Sequence, residues 1–177
     1  MPQKSIFSYP RLQSGLCIYP HQLHKNWKEE IIKDLSSIWI GHCTKDIGYI
    51  CEIFQSNIHV LSHSIIEEGI MRVLVNFQAM TLLPFSGCQL MATIEMVTSF
   101  GIFLKYHDYL RLMIPLRYLE PHYIFRKHFS SNVFIHSNGQ HTFQIHDVIP
   151  VEIVECRFEQ EHFSCIVKCN PLPPVKN

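Results

Sequence analysis

VLVNFQAMTLLPFSGCQLMATIEMVTSFGIFLKYHDYLRLMIPLRYL, residues 73 to 119, is interrupted three times, and between the interruptions it alternates. In Val73–Met80, the residues Val73, Val75, Phe77 and Ala79 share one parity, while Leu74, Asn76 and Gln78 take the other. Successive side chains of a strand point to opposite faces, so this period of two predicts a strand with one buried face. Leu83-Pro84-Phe85-Ser86-Gly87 then breaks the ladder, because proline donates no backbone hydrogen bond and glycine permits a sharp turn. A second strand is expected over Gln89–Val97, with Leu90, Ala92, Ile94 and Met96 on one face. Thr98-Ser99-Phe100-Gly101 and His107-Asp108 read as turns around strands at Ile102–Tyr106 and Tyr109–Ile114. Alternation of this kind fits any antiparallel sheet; strands in quick succession on short turns also fit the opening meander of a small barrel.

Working outward toward the N-terminus, Ile58–Ser62 and Tyr49–Phe54 read as strands, with turns at Gln55-Ser56-Asn57 and Lys45-Asp46-Ile47-Gly48. Ile38–Cys43 is expected to be another strand, and the path from Ile65 to Gly69 a less regular loop. Before these the period changes. Leu23, Trp27, Ile31, Leu35 and either Ile38 or Trp39 recur at every fourth place, which predicts a helix with one apolar stripe. Lys25, Lys28, Glu29 and Lys33 lie opposite, and Glu29 and Lys33 are spaced for an i,i+4 pair. A first strand spans Leu12–Tyr19 and stops at Pro20. A strand, a helix and then a curled antiparallel sheet make an α+β unit of ferredoxin-like, RNP-like character.

Toward the C-terminus, Glu120–Phe143 exceeds what a minimal barrel needs. It carries Tyr123, Phe125, Arg126, Lys127 and Phe129, then an Asn138-Gly139 pair between two alternating runs, the strongest short hairpin signal. This reads as an insertion hairpin between the third and fourth barrel strands. Val148–Phe158 and His162–Cys169 would close the barrel, and Asn170–Pro174 would leave it as an extended tail. The expected division is residues 1–84 for the first domain and 85–177 for the second.

Of the 177 residues, 47% are hydrophobic and 17% charged, enough apolar surface for a real core. The formal net charge of zero argues against an indiscriminate polyanion binder, so any nucleic-acid contact has to come from a local patch. One such patch is legible: Lys105, Arg111, Arg117, Arg126 and Lys127 meet only Asp108 and Glu120 along their segment. Further on, Asp147, Glu152, Glu155, Glu159 and Glu161 meet only Arg157, and two solvated faces would account for the segregation equally well. The N-terminal MPQKSIFSYPRLQ lacks the apolar core of a signal peptide, and no run reaches the ~20 residues of a membrane span. The expectation is an intracellular protein, nuclear or cytoplasmic, or in a cytoplasmic factory or virion if the source is viral, without membrane contact. Seven cysteines in irregular positions, with Cys17, Cys51 and Cys165 among strand-like apolar residues, point to free buried thiols in a reducing compartment rather than a disulfide framework.

The string Val75-x-Phe77-x-Ala79, Pro84-Phe85-x-Gly87, Val97-x-x-x-Gly101-x-Phe103 resembles the stalk subunit of multisubunit RNA polymerases, represented by its archaeal form and by the seventh subunit of RNA polymerase II. The likeness reaches back to Gly41-x-Cys43 and Gly48-Tyr49-Ile50 and covers roughly Leu16–Leu119. It implies an N-terminal tip domain that plugs into the polymerase core near the clamp base, and a C-terminal OB-fold barrel at the RNA exit channel. Core contact would fall to Lys45, Asp46, Gly48 and Tyr49 and to Glu67, Glu68 and Gly69, the family's glycine-rich signature being reduced here to Gly69. Implied partners are the large polymerase subunits, a helical stalk partner and nascent single-stranded RNA; the departure of the loops from cellular members suggests the polymerase of a large DNA virus.

OB barrels stack bases on aromatic residues of their second and third strands, flanked by cations. The candidates are Phe100, Phe103, Lys105, Arg111 and Arg117, with Tyr106, Tyr109 and Tyr118 nearby. Phe103 shares parity with Lys105, so either the ring is exposed or the lysine sits at a rim; Phe100 and Phe103 would equally serve as core. RNA-binding domains of the ribosomal-protein S-one type often place a histidine where this chain has Leu112-Met113-Ile114-Pro115.

Other chemistry finds little footing. His42-Cys43, His59 with His63, His136-x4-His141-x4-His146 and Cys165-x3-Cys169 all miss zinc-knuckle spacing. Cys165 and Cys169 on a strand would stand about 13 Å apart. No nucleophile elbow, phosphate-cradling loop or dinucleotide fingerprint is present. The adjacent Glu67-Glu68 carboxylates would point apart in an extended chain, and Ser62-His63-Ser64 are neighbours in sequence rather than a triad. The expectation is a non-catalytic subunit without metal or cofactor. Two alternatives stand beside it: a free-standing OB-fold RNA-binding protein of translation or RNA decay, and a purely interacting protein with apolar surface near Trp27, Trp39 or the insertion.

Overall fold

The computed structural model describes residues 5–22, 27–66, 69–127, 132–139 and 141–170. The chain is mostly β, 59% strand, and divides into two compact units, Met1–Leu83 and Pro84–Asn177.

The N-terminal unit is built on one long strand. Its strands are β1 (Phe7–Ser8), β2 (Arg11–Ile18), β3 (Cys43–Thr44), β4 (Gly48–Ile53), β5 (His59–Ile65) and β6 (Met71–Leu82), with helix α1 at Trp27–Trp39. Every one of β6's twelve residues is paired on at least one edge. Its first half pairs with β2 on one side and β5 on the other, so that Val75 faces both Ser14 and Val60. Its last residues pair with β1 and β4, Leu82 lying between Phe7 and Tyr49. Four of the other strands, β1 with β2 and β4 with β5, therefore flank a single spine, and β3 adds to the outer edge of β4. The parity read from the sequence holds here: Val73, Val75, Phe77 and Ala79 are all fully buried. They meet Ile31 and Leu35 of α1, together with Leu16, Ile18, Ile50 and Ile53.

The helix differs from expectation at its end. It continues through Trp39, and β3 shrinks to Cys43–Thr44, so Ile38–Cys43 is not a strand. The cause is Trp39, whose indole nitrogen donates to Ser14 Oγ at 3.0 Å and whose ring packs 5.9 Å from that of Phe77. That half-buried donor is satisfied with the last turn helical. Ile38 is accordingly the exposed alternative. Lys33 pairs with Glu30 at 3.0 Å, one turn position away from the expected Glu29. Leu23 and Lys25 lie outside the described residues. A split βαβ would carry two helices; among the described residues α1 is the only α-helix. No described helix is long and apolar enough to cross a membrane.

The second unit holds a closed barrel of β7 (Gln89–Thr98), β8 (Gly101–Tyr106), β9 (Leu110–Pro115), β13 (Val148–Glu159) and β14 (His162–Cys169). Its order is β13-β14-β9-β8-β7, closed by β13 on β7, with β14 and β9 the one parallel pair. This connectivity is compatible with an OB-like barrel. Leu90, Ala92, Ile94, Ile102, Leu104, Leu112, Ile114, Val151, Ile153 and Val167 fill the interior. A bulge between Ile94 and Met96 corrects the expected parity: Val97 turns inward and Met96 is left 48% exposed. The β13–β14 hairpin turns at Gln160 and Glu161, both with positive φ as a two-residue type I′ turn requires.

The insertion is larger than a hairpin. Strands β10 (Tyr123–Lys127), β11 (Asn132–His136) and β12 (Thr142–Phe143) form a three-stranded sheet between the third and fourth barrel strands. Gly139 occupies the predicted turn. Phe134 and Phe143 are buried, Tyr123 stacks on Phe143 at 4.6 Å, and Asn132 donates to Val97 O at 3.1 Å. Phe129 lies outside the described residues.

Candidate nucleic-acid interface

The ladder of the barrel fixes which side chains share its outer face. Across β7, β8 and β9, Thr93, Lys105 and Arg111 form one rung and Met96, Phe103 and Met113 the next. Rung-mates stand about 5 Å apart, so each can act on the same ligand group. Phe103 and Lys105 thus both look outward, the ring half-buried between two methionines and the lysine beside Arg111. The outer face offers an apolar patch next to a pair of cations.

Two further candidates sit beyond the end of these strands. Phe100 is 77% exposed at the tip of the β7–β8 turn, where its amide bonds Thr98 Oγ1 at 3.3 Å. Arg117 lies in the short 3-10 turn after β9, its guanidinium 5.1 Å from the Tyr118 ring. Leu116 N donates to Phe100 O at 3.0 Å, so the turn with the exposed ring and the turn with the exposed cation are tied together. From Phe100 to Lys105 the chain advances about 17 Å along β8.

The cations of the face are partly balanced. Lys105 Nζ lies 3.6 Å from Asp108 and 4.0 Å from Glu95. Lys105 and Glu95 are each 43% exposed and Asp108 82%, so both pairs face solvent and contribute on the order of 0.5 kcal/mol, little enough for a phosphate to displace them. Arg111 is exposed and makes no ion pair among the described residues. The acidic run is also less isolated than its sequence order implies, since the β13–β14 ladder sets Lys168 3.1 Å from Glu152. Sequence reasoning missed Met96, because the β7 bulge that turns it outward leaves no mark in the period, and missed Met113 and Glu95, because their grouping with Phe103 and Lys105 depends on register between strands.

The residues expected to meet a polymerase core separate into two places. Lys45 and Asp46 are exposed in the β3–β4 turn, close to the Leu82 end of β6. Gly48 and Tyr49 are interior, Tyr49 only 2% exposed, so they brace that turn rather than present a surface. Gly69 is exposed before the Met71 end of β6, about 36 Å away along the strand. Glu67 and Glu68 lie outside the described residues. Not foreseen from the sequence was the state of β5, which is exposed along its whole length, with Val60, Leu61 and Ile65 open to solvent. Its alternation gave no warning, because an edge strand carries the same period as an internal one.

Among the described residues no group of three or more His, Cys, Asp or Glu side chains is placed to hold a metal ion. No known protein-family model matches the chain, and no curated protein matches it.

Proposed function

We propose that the protein is a non-catalytic stalk subunit of a DNA-directed RNA polymerase, held to the core by its N-terminal unit and touching nascent RNA with its barrel. The observation that carries the reading is the outer face of the barrel, where Phe103 lies between methionines on one rung and Lys105 and Arg111 sit together on the next. That is the arrangement single strands need, an apolar surface for a base beside cations for its phosphates. The OB-fold assignment, the ferredoxin-like tip and the polymerase itself rest on the resemblance of the Val75–Phe103 string. In the N-terminal unit, the exposed edge strand β5, with Val60, Leu61 and Ile65 open to solvent, and the exposed Lys45-Asp46 turn supply surface for the core subunits, since exposed edge strands accept a partner's strand.

Affinity purification of the tagged protein from its native source, with mass spectrometry before and after nuclease, tests the assembly. Large polymerase subunits are expected to remain bound after nuclease. Partners released by nuclease would instead identify a free-standing RNA-binding barrel. The RNA face has its own measurement. Replacing Lys105 and Arg111 together by alanine should flatten the salt dependence of single-stranded RNA binding by about 1.4 in log–log slope, two phosphate contacts at about 0.7 each. An unchanged slope removes RNA from this face.

A further inference from the structure

We infer that Cys156 and Cys165 are a redox-active pair, a site at which a small disulfide such as oxidised glutathione converts two thiols of the barrel into one intramolecular disulfide. The register carries the inference. Cys156 and Cys165 are direct partners across the antiparallel β13–β14 ladder, and the Cys165 thiol donates to Cys156 Sγ at 3.2 Å. Directly opposed residues in such a ladder have Cα atoms about 4.5–5.5 Å apart, inside the range a disulfide spans. Closing the bond requires the sulfurs to approach by about 1.2 Å, within reach of small side-chain rotations.

The two sulfurs are not equivalent, and the difference sets the order of events. Cys156 is half-buried and Cys165 fully buried, so an outside disulfide reaches Cys156 first. The hydrogen bond from Cys165 also holds the Cys156 thiol below its ordinary pKa, which favours the nucleophilic thiolate. The Cys156 thiolate attacks one sulfur of the disulfide, whose S–S bond breaks and releases one thiolate. Cys165, whose thiol is pushed up by its hydrogen bond to Cys156 and by burial, is the slower partner: it gives up its proton to the first released thiolate and attacks the Cys156 sulfur of the mixed disulfide, displacing the second thiolate. One external disulfide is reduced to two thiols and one protein disulfide is formed; the two protons lost by the cysteines end on the released thiols.

The remaining cysteines do not compete for this role. Cys17 on β2 is exposed and Cys43 on β3 buried, and across their ladders they face Arg72 and Tyr49. Cys51 donates to Tyr49 O at 3.5 Å and Cys169 faces Val151 across its ladder, so neither has a second sulfur set opposite it, and burial pushes both up to about 11. Cys88 lies within electrostatic reach of Cys156 and Cys165 yet completes no metal-holding group among the described residues. The chemistry left to the cluster is exchange between sulfurs.

The test uses the full-length, folded protein. It is equilibrated in mixtures of reduced and oxidised glutathione, quenched by alkylation, and mapped by non-reducing peptide mass spectrometry. The expected product has lost two hydrogens and carries a Cys156–Cys165 linkage, reversed by dithiothreitol. In Cys165→Ala, Cys156 should instead accumulate as the glutathione mixed disulfide. Retention of both thiols across the series, or linkage of Cys88 to either in preference, overturns the inference, and this wild-type measurement stands even if the variant does not fold.

Discussion

Gly48→Ala is expected to lower the stability of the N-terminal unit by about 4 kcal/mol, most of the margin a small unit has. Two effects add. Gly48 sits at φ +83°, a left-handed conformation that costs an alanine about 1–2 kcal/mol. The new Cβ would also fall on the Leu82 carbonyl oxygen, 2.7 Å from its carbon and 2.8 Å from Leu83 Cα. These are backbone atoms at the end of the β6 spine, paired with Tyr49, and they cannot retreat without opening the ladder. Overpacking of that kind adds about 1–3 kcal/mol. Urea unfolding followed by tryptophan fluorescence reads this unit alone, because both tryptophans, Trp27 and Trp39, belong to α1. A loss below about 1 kcal/mol would mean that the turn relaxes freely and is not braced by Gly48.

How far the sequence discloses such constraints depends on whether the interaction is local. The parity of Val73, Val75, Phe77 and Ala79 was readable because burial on one face of a strand writes itself at every second residue. The Asn138-Gly139 turn was readable because few pairs tolerate its backbone. The helix end was not. Trp39 and Ile38 both fit the stripe, and the choice is made by a hydrogen bond to Ser14, 25 positions away. Met96 was misplaced for a related reason, since a bulge inserts one residue into the count and reverses every face after it.

The candidate site divides along the same line. That Phe103 and Lys105 share a face follows from parity, but their grouping with Arg111, Met96 and Met113 is a matter of register between strands. Register also sets Cys156 against Cys165 and Lys168 beside Glu152, neither of which any spacing in the sequence announces. The exposure of β5 is a further step removed. It depends on no other described element covering that strand, whereas the sequence specifies only that the strand forms.

Gly101→Ala carries the corresponding test into the barrel. At φ +147° Gly101 occupies backbone space open essentially to glycine alone, which costs another residue about 1–3 kcal/mol. Its added Cβ would fall on the Ile114 carbonyl oxygen, with Ile114 C at 3.1 Å and Pro115 Cα at 3.2 Å. β8 and β9 are paired there, Gly101 against Pro115, so the clash is met by backbone on both sides. The expected loss is about 3–4 kcal/mol, confined to the barrel. Hydrogen exchange of the β7, β8 and β9 amides should show it, while the fluorescence of Trp27 and Trp39 keeps its wild-type transition. The position matters because the same close approach seats the β7–β8 turn against the segment after β9, where Leu116 bonds Phe100. If that seating is what aims the exposed Phe100 ring, exchange at the Leu116 amide should accelerate most. Uniform acceleration across all five barrel strands would mean instead that Gly101 sustains the barrel as a whole and the turn has no separate support.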